Sequence, residues 1–283
     1  MNLAGETHFI MNKYNITANK NFGQNFLIDE NVVENIVMYS EVNKNDLVIE
    51  IGPGLGTLTS LLLEKAGKVI CIELDKKMLE ILNDRFSLYN NFELINDDIL
   101  KVDLKALLLN NSQFENVKVV ANLPYYITTP IIMKLLENKL NLKSITVMVQ
   151  KEVAERLVET PGGKNTGAIT YSINYYTNPE LVLDVPKDSF IPSPKVDSAV
   201  IKLNILKQPK IQVNNEELFF KVIKCAFMQK RKTLINSLSN SGISNKENLE
   251  NILNNLRIDT RVRAEQLTLE QFGYISDKLE KYK

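Results

Sequence analysis

The chain has 283 residues, 44% of them hydrophobic and 24% charged, with 34 Lys plus Arg balancing 34 Asp plus Glu. This composition excludes a disordered or collagen-like chain and is long enough for one large domain or two. No run approaches the roughly 18 apolar residues of a membrane span, and the N-terminus lacks the charged-then-apolar pattern of a secretory signal, so the expectation is a cytoplasmic protein without a membrane partner.

A polar tail runs to about Asn19. Val32, Val33, Ile36 and Val37 then recur at helical spacing over Asp29–Tyr39, with Asp29 placed to cap the helix. Apolar runs at Leu47–Ile51, Val69–Leu74, Phe92–Ile95, Val117–Ala121 and Ile145–Val149 predict strands. Helical patterns at Leu58–Lys65, Lys76–Phe86 and Pro130–Lys139 separate several of them. Such alternation predicts a mostly parallel sheet covered on both faces, with ligands beyond the carboxyl ends of its strands. Ile169–Tyr176 and Val196–Leu206 read as long strands around a Pro-rich loop with no crossover helix, which predicts an antiparallel edge. From Glu216 onward the helical patterns Glu216–Met228, Lys232–Ser239, Lys246–Leu256 and Thr268–Lys281 predict an all-α tail. The expected division is 1–208 and 209–283.

Residue types narrow the chemistry. The single histidine, His8, lies in the tail, which argues against a Ser-His-Asp triad, a multi-histidine zinc site and a Cys-His pair; no metal is expected. Cys71 and Cys225 sit in apolar patterns without ligand spacing and read as buried free thiols. Charge is uneven despite its zero sum, because residues 185–246 hold 11 basic and 4 acidic side chains, +7 here against −7 elsewhere. A surface for a polyanion and a basic solvated face are both open readings.

Glu50-Ile51-Gly52-Pro53-Gly54-Leu55-Gly56 follows the first predicted strand and opens a crossover helix. Gly52 and Gly54 at such a turn let the backbone approach a ligand closely. Glu73 stands 21 positions after Gly52 at a strand end, where a carboxylate can accept hydrogen bonds from ribose hydroxyls. The pair points to an adenosine-containing ligand, a dinucleotide or S-adenosylmethionine, with a glycine turn that binds nothing as the alternative. The G-x-G-x-G spacing after an acidic residue favours S-adenosylmethionine over the G-x-G-x-x-G of pyrophosphate binding. Asp97-Asp98 follows the third strand; Asp98 is suited to the adenine amine, with a solvated turn as the alternative. Asn122-Leu123-Pro124-Tyr125 follows the fourth strand. An amide oxygen and a backbone carbonyl that hold the two hydrogens of an adenine amine would favour a pyramidal nitrogen, whose lone pair can face a methyl group without a strong base. Tyr125 would stack on the extruded base.

With these motifs in order, the chain resembles the rRNA adenine N6,N6-dimethyltransferases, specifically the small-subunit (16S-type) branch, over nearly its whole length. Asn21-Phe22-Gly23-Gln24-Asn25-Phe26-Leu27, Glu50–Gly56, Asn122–Tyr125 and Phe190-Ile191-Pro192-Ser193-Pro194-Lys195-Val196-Asp197-Ser198 carry the resemblance. It implies a Rossmann-like α/β S-adenosylmethionine-dependent methyltransferase domain with a small all-α C-terminal domain. It further implies that Asn25, Leu27, Gly52, Glu73, Asp98 and Asn122 contact S-adenosylmethionine. Asn122, Leu123, Tyr125 and Phe190 are implied to position the target adenine, Phe190 on the ring face opposite Tyr125. The implied substrate is two adjacent adenosines in a small-subunit rRNA hairpin loop, and the implied partner is the small ribosomal subunit, approached by a monomer. Ala226–Leu238 also resembles this branch, and its Lys230, Arg231 and Lys232 form a cationic cluster able to contact phosphates. The large-subunit rRNA dimethylases that confer macrolide resistance share the glycine loop and a similar amine motif. A nicotinamide dehydrogenase and a non-catalytic ribosome-assembly factor are the readings from other classes.

Overall fold

The computed structural model describes residues 2–19, 23–229 and 231–282. Asn21, Phe22 and Lys230 lie outside the described residues. Along the chain the elements are α1 (Leu3–Lys13), β1 (Phe26–Leu27), α2 (Glu30–Ser40), β2 (Asp46–Ile51), α3 (Thr57–Lys65), β3 (Lys68–Glu73), α4 (Lys76–Phe86), β4 (Phe92–Asn96), α5 (Leu104–Leu109), β5 (Asn116–Asn122), α6 (Thr128–Glu137) and β6 (Ser144–Gln150). They continue with α7 (Lys151–Val158), α8 (Ala168–Tyr176), β7 (Thr177–Val185), β8 (Phe190–Ile191), β9 (Ser198–Ile205), α9 (Glu216–Phe227), α10 (Leu234–Asn240), α11 (Lys246–Asn255) and α12 (Leu269–Glu280).

Seven strands form one sheet in the order β4-β3-β2-β5-β6-β9-β7. Neighbours from β4 through β6 are parallel, and β9 pairs antiparallel to β6 with Gln150 opposite Ser198. Every residue of β2 is buried, and β5 and β6 are buried throughout their interiors. Continuous burial explains why their sequences are apolar runs rather than alternating patterns. β2 is bordered by β3 on one side and β5 on the other, so the crossovers diverge at its carboxyl end and open a crevice there. A separate two-stranded ribbon pairs Leu27 with Phe190 and so ties the N-terminal motif to the late loop.

The chain divides into two compact units, Met1–Ala154 with Glu180–Ile205, and Glu155–Pro179 with Leu206–Lys283. In the first, α2 and α3 bury Val33, Ile36, Val37, Leu58 and Leu62 in one cluster with Val48, Val69 and Val120 of the sheet. In the second, Tyr171, Phe219, Val222, Leu238, Leu253 and Phe272 form the core of a helical bundle. The Tyr171 hydroxyl donates to the Leu267 carbonyl at 2.6 Å, so its polar end is satisfied inside that core.

Two expectations need correction. The stretch read as a strand over Ile169–Tyr176 is helix α8, and the strand follows it at Thr177–Val185. Its β-branched and aromatic residues favour a strand locally, but tertiary burial of Tyr171 and Tyr175 overrides that preference. Thr170 Oγ1 also accepts from the Gly167 N–H at 3.0 Å and secures the first turn. The supposed tail contains α1, whose Asn2 side chain accepts from the Gly5 N–H. Ile10 of α1 enters the core, and Glu6 pairs with Arg85 of α4 at 2.5 Å.

At the opposite end of the sheet from the crevice, Lys118 Nζ lies 2.8 Å from Asp46 Oδ2, with the two side chains 3% and 0% exposed. Lys118 also donates to the Glu41 carbonyl, and the Asn43 N–H donates to Asp46. Removing one member leaves a buried carboxylate without its counter-ion. Lys118→Met is expected to lower unfolding free energy by about 3 kcal/mol, measured by urea denaturation.

Candidate active site

The crevice at the carboxyl ends of β2, β3 and β5 encloses about 1050 Å³ including its open mouth. Its floor is the glycine loop. Gly52, Gly54 and Gly56 all have left-handed backbones, with φ of 66°, 58° and 82°. The Gly52 N–H donates to the Ile72 carbonyl at 3.0 Å, which extends the β2–β3 pairing into the turn. At Gly56 a Cβ would lie 2.3 Å from the Phe86 ring, so the close approach of α3 to α4 also demands glycine.

Glu73 ends β3 beside this loop. Its Oε1 accepts from the Leu74 and Asp75 N–H groups, both at 2.8 Å, and its Oε2 accepts from the Gly54 N–H at 3.3 Å. Burial pushes its pKa up, opposed by those three backbone donors. The amides occupy three of the roughly four acceptor positions of a carboxylate, leaving one on Oε2 for a ligand hydroxyl. Exchange of the long Gly54 bond provides a second.

Glu50, on β2, is 2% exposed and lines the crevice. Its Oε2 accepts from Thr59 Oγ1 at 2.6 Å and from Cys71 Sγ at 3.4 Å. Burial raises its pKa to about 7 against the lowering effect of Thr59 and Cys71. Cys71 is a buried free thiol whose own pKa is pushed well up by burial and the adjacent Glu50. Cys225 is also free and buried.

Asn122 closes β5 at the opposite wall. Its Nδ2 reaches the Asn25 carbonyl at 3.5 Å, while no described residue donates to its Oδ1. The Leu123 N–H is held by the Met148 carbonyl at 3.1 Å, and the Leu123 carbonyl accepts from no described residue. Pro124 then turns the chain into a single 3₁₀ turn carrying Tyr125. Two acceptor oxygens thus lie on consecutive residues of a crevice wall, followed at once by an aromatic ring.

Of the residues singled out from sequence, Asn25, Leu27, Gly52, Gly54, Glu73, Asp98, Asn122, Leu123 and Tyr125 all line this crevice. Asp98 is held by its own turn, with Oδ1 accepting from the Leu100 N–H at 2.9 Å. Phe190 is not brought to it. That side chain is 2% exposed and packs in the core of the first unit, its backbone paired with Leu27. Arg231 and Lys232 are exposed in the helical unit, just before the Thr233 cap of α10. Sequence reasoning assigned no role to Tyr126, which lines the mouth at 56% exposure. Its ring packs 3.4 Å from where a Gly23 Cβ would be. The doubled tyrosine of Asn122–Tyr126 was the available signal.

The character of the lining tests the ligand. Among the described residues it carries Glu50, Glu73, Asp97 and Asp98 and no Lys or Arg. An acidic lining of this kind suits a ligand with a sulfonium and an ammonium group. No group of three or more His, Cys, Asp or Glu among the described residues could hold a metal ion, and no helix among them is long and apolar enough to cross a membrane.

Fold and crevice together define an S-adenosylmethionine-dependent methyltransferase domain. The sequence pattern of the family described as ribosomal RNA adenine dimethylase matches residues 15–281. Ribosomal RNA small subunit methyltransferase A of Clostridium botulinum (strain Kyoto / Type A2) is 51% identical over 271 residues, covering 96% of this chain and 97% of that protein. A crystal structure of a dimethyladenosine transferase from Plasmodium falciparum matches with a TM-score of 0.72 at 27% identity, over 88% of this chain and 95% of its own. The fold is shared also by the 23S rRNA methyltransferase ErmE, at a TM-score of 0.69 and 24% identity over 90% of this chain and 100% of that one. The chain belongs to the ribosomal RNA adenine dimethylase family.

Glu50 gives this site a pH signature. Its folded pKa of about 7 lies above its unfolded value of 4.5, so the native state retains a proton that the unfolded chain releases. Its contribution is fully present below the unfolded value and is lost as pH rises to about 7. Glu50→Gln should therefore gain on the unmodified chain across that interval, by up to about 3 kcal/mol, and hold the gain above it. Paired denaturation curves from pH 4 to pH 8 measure this.

Proposed function

We propose that this chain transfers methyl groups from S-adenosylmethionine to N6 of two adjacent adenosines in a small-subunit rRNA hairpin loop, giving N6,N6-dimethyladenosine during biogenesis of that subunit in the cytoplasm. The observation that carries the reading is the pair of acceptors, Asn122 Oδ1 and the Leu123 carbonyl, that no described residue donates to, on the wall of an acidic crevice whose described lining holds no Lys or Arg. The 51% identical small-subunit methyltransferase A supports the choice of the small-subunit branch over the large-subunit one.

S-adenosylmethionine, when bound, supplies an electrophilic methyl group on sulfonium. Gly52 and Gly54 give it backbone space, Glu73 takes its ribose, Asp98 its adenine, and Asn25 and Leu27 close the crevice from the N-terminal side. Asn122 Oδ1 and the Leu123 carbonyl each accept one hydrogen of the target amine and hold its nitrogen pyramidal, so that the lone pair is aimed rather than delocalised. Tyr125 stacks on the extruded adenine. After transfer the nitrogen is cationic and acidic, and its proton passes from the accepting oxygens to water without a basic side chain. This accords with a chain whose one histidine, His8, is exposed on α1. Arg231 and Lys232, together with Lys230, contact rRNA phosphates, which orients the substrate without reading its sequence.

The primary test is labelled-methyl transfer to small subunits lacking this modification, with large subunits and naked rRNA in parallel. Dimethyladenosine in the small subunit alone is expected. Label in large-subunit RNA would favour the resistance branch, and subunit binding without label would favour a non-catalytic assembly factor. In the same assay Asn122→Ala should lower turnover at least about 100-fold with cofactor affinity nearly retained; near-normal turnover would refute its role. Glu73→Ala should weaken S-adenosylmethionine binding by about tenfold or more, read by calorimetry, and an unchanged dissociation constant would remove the ribose contact.

A further inference from the structure

The proposed stacking residue, Tyr125, has a partner that the reading above leaves unused. Its hydroxyl lies 2.6 Å from Ser198 Oγ. Ser198 is the first residue of β9, is 0% exposed, and sits opposite Gln150 at the end of β6. The strand register therefore fixes its backbone, and the short side chain leaves its oxygen little freedom.

The segment leading into Ser198 is secured on three sides. The Asp197 carbonyl accepts from the Lys151 N–H at 3.0 Å, and Asp197 Oδ1 accepts from the Lys187 N–H at 2.9 Å. Ser193 Oγ donates to the Lys187 carbonyl at 3.0 Å and closes the same loop. Tyr125, by contrast, stands on one 3₁₀ turn, is half-buried, and lines the crevice. A ring held only at Cβ can swing about its first side-chain torsion; one also held at its para oxygen keeps the direction of its long axis. Both hydroxyls are neutral in the working range, since burial raises the Tyr125 phenol above its ordinary value against the lowering effect of Ser198.

We infer that Ser198 is a positioning residue for methyl transfer, fixing the direction of the Tyr125 ring axis through their hydroxyl–hydroxyl bond so that the ring keeps one position against the target adenine for both successive methylations. The inference rests on the proposed adenine N6 dimethylation. Its specific consequence concerns the second transfer, where the amine already carries one methyl and the base has fewer hydrogens with which to hold itself. A loosened ring penalises that step more than the first.

The experiment compares the unmodified full chain, Ser198→Ala, Tyr125→Phe and the double variant on undermethylated small subunits. It reads kcat, the KM for S-adenosylmethionine, and the ratio of mono- to dimethyladenosine, with thermal midpoints and calorimetric cofactor affinity as folding controls. Ser198→Ala should lower kcat about tenfold, raise the mono-to-di ratio severalfold and leave cofactor affinity unchanged. Tyr125→Phe, which keeps the ring and removes the same bond from the other side, should match it. The double variant should be no worse than either, because one bond is lost in all three. If Ser198→Ala does not fold, the shift of product ratio in Tyr125→Phe decides. Overturning results are an unchanged ratio with kcat near normal, or effects that multiply in the double variant. An unmodified chain that methylates no adenine would overturn the proposed function and this inference together, whereas an active chain with an indifferent Ser198 would overturn this inference alone.

Discussion

β2 is hydrogen-bonded along both edges to parallel neighbours, Ile51 beside Ile72 of β3 and Ile49 beside Val119 of β5, and the placement of the active site depends on that pairing. Parallel strands cannot be joined by a hairpin, so the chain must return through a helix after each one. At β2 the two returns go to opposite sides, and the carboxyl ends of β2, β3 and β5 face a space that no crossover covers. The glycine loop, Glu73 and Asn122 are the residues that end those strands. Register matters equally, because a one-residue slip of β3 against β2 would turn Glu73 to the other face and break the Gly52 bond to Ile72.

The crevice concentrates acids where burial makes them costly. Glu73 is compensated by three backbone N–H donors, whereas Glu50 has one hydroxyl, one thiol and a raised pKa. A low-dielectric site rich in carboxylates and without Lys or Arg among its described lining residues attracts a cationic ligand and repels a polyphosphate.

Strands far apart in sequence meet at this site. β1 and β8 pair Leu27 with Phe190, bringing the N-terminal motif and the late loop into one ribbon. β9, antiparallel to β6, carries Ser198 to Tyr125. The Asn122–Tyr125 turn is thus bordered by segments from the start, middle and end of the first unit. Phe190 contributes to that arrangement from within the core, through its backbone pairing and its packing, rather than as an exposed ring.

The five parallel strands and the C-terminal helices were legible in sequence to within a residue or two, because each is a burial pattern with its own period and each glycine or capping residue acts locally. The placement of the glycine loop, Glu73 and Asn122 at the crevice was legible for the same reason, since each ends a strand of the parallel sheet. Ile169–Tyr176 was not, since its residues favour a strand and only their burial among the C-terminal helices makes a helix. Nor was α1, whose weak apolar face acquires stability from Arg85 and the core it covers. The residues by themselves determined a parallel α/β domain with a glycine loop, an acidic strand end and an Asn-Leu-Pro-Tyr turn at the carboxyl ends of its strands. Only tertiary structure decided that Phe190 is buried, that the crevice lining described here has no cation, and that Ser198 meets Tyr125. Those depend on strand order and register across more than 70 residues, between groups that carry no local signal of one another.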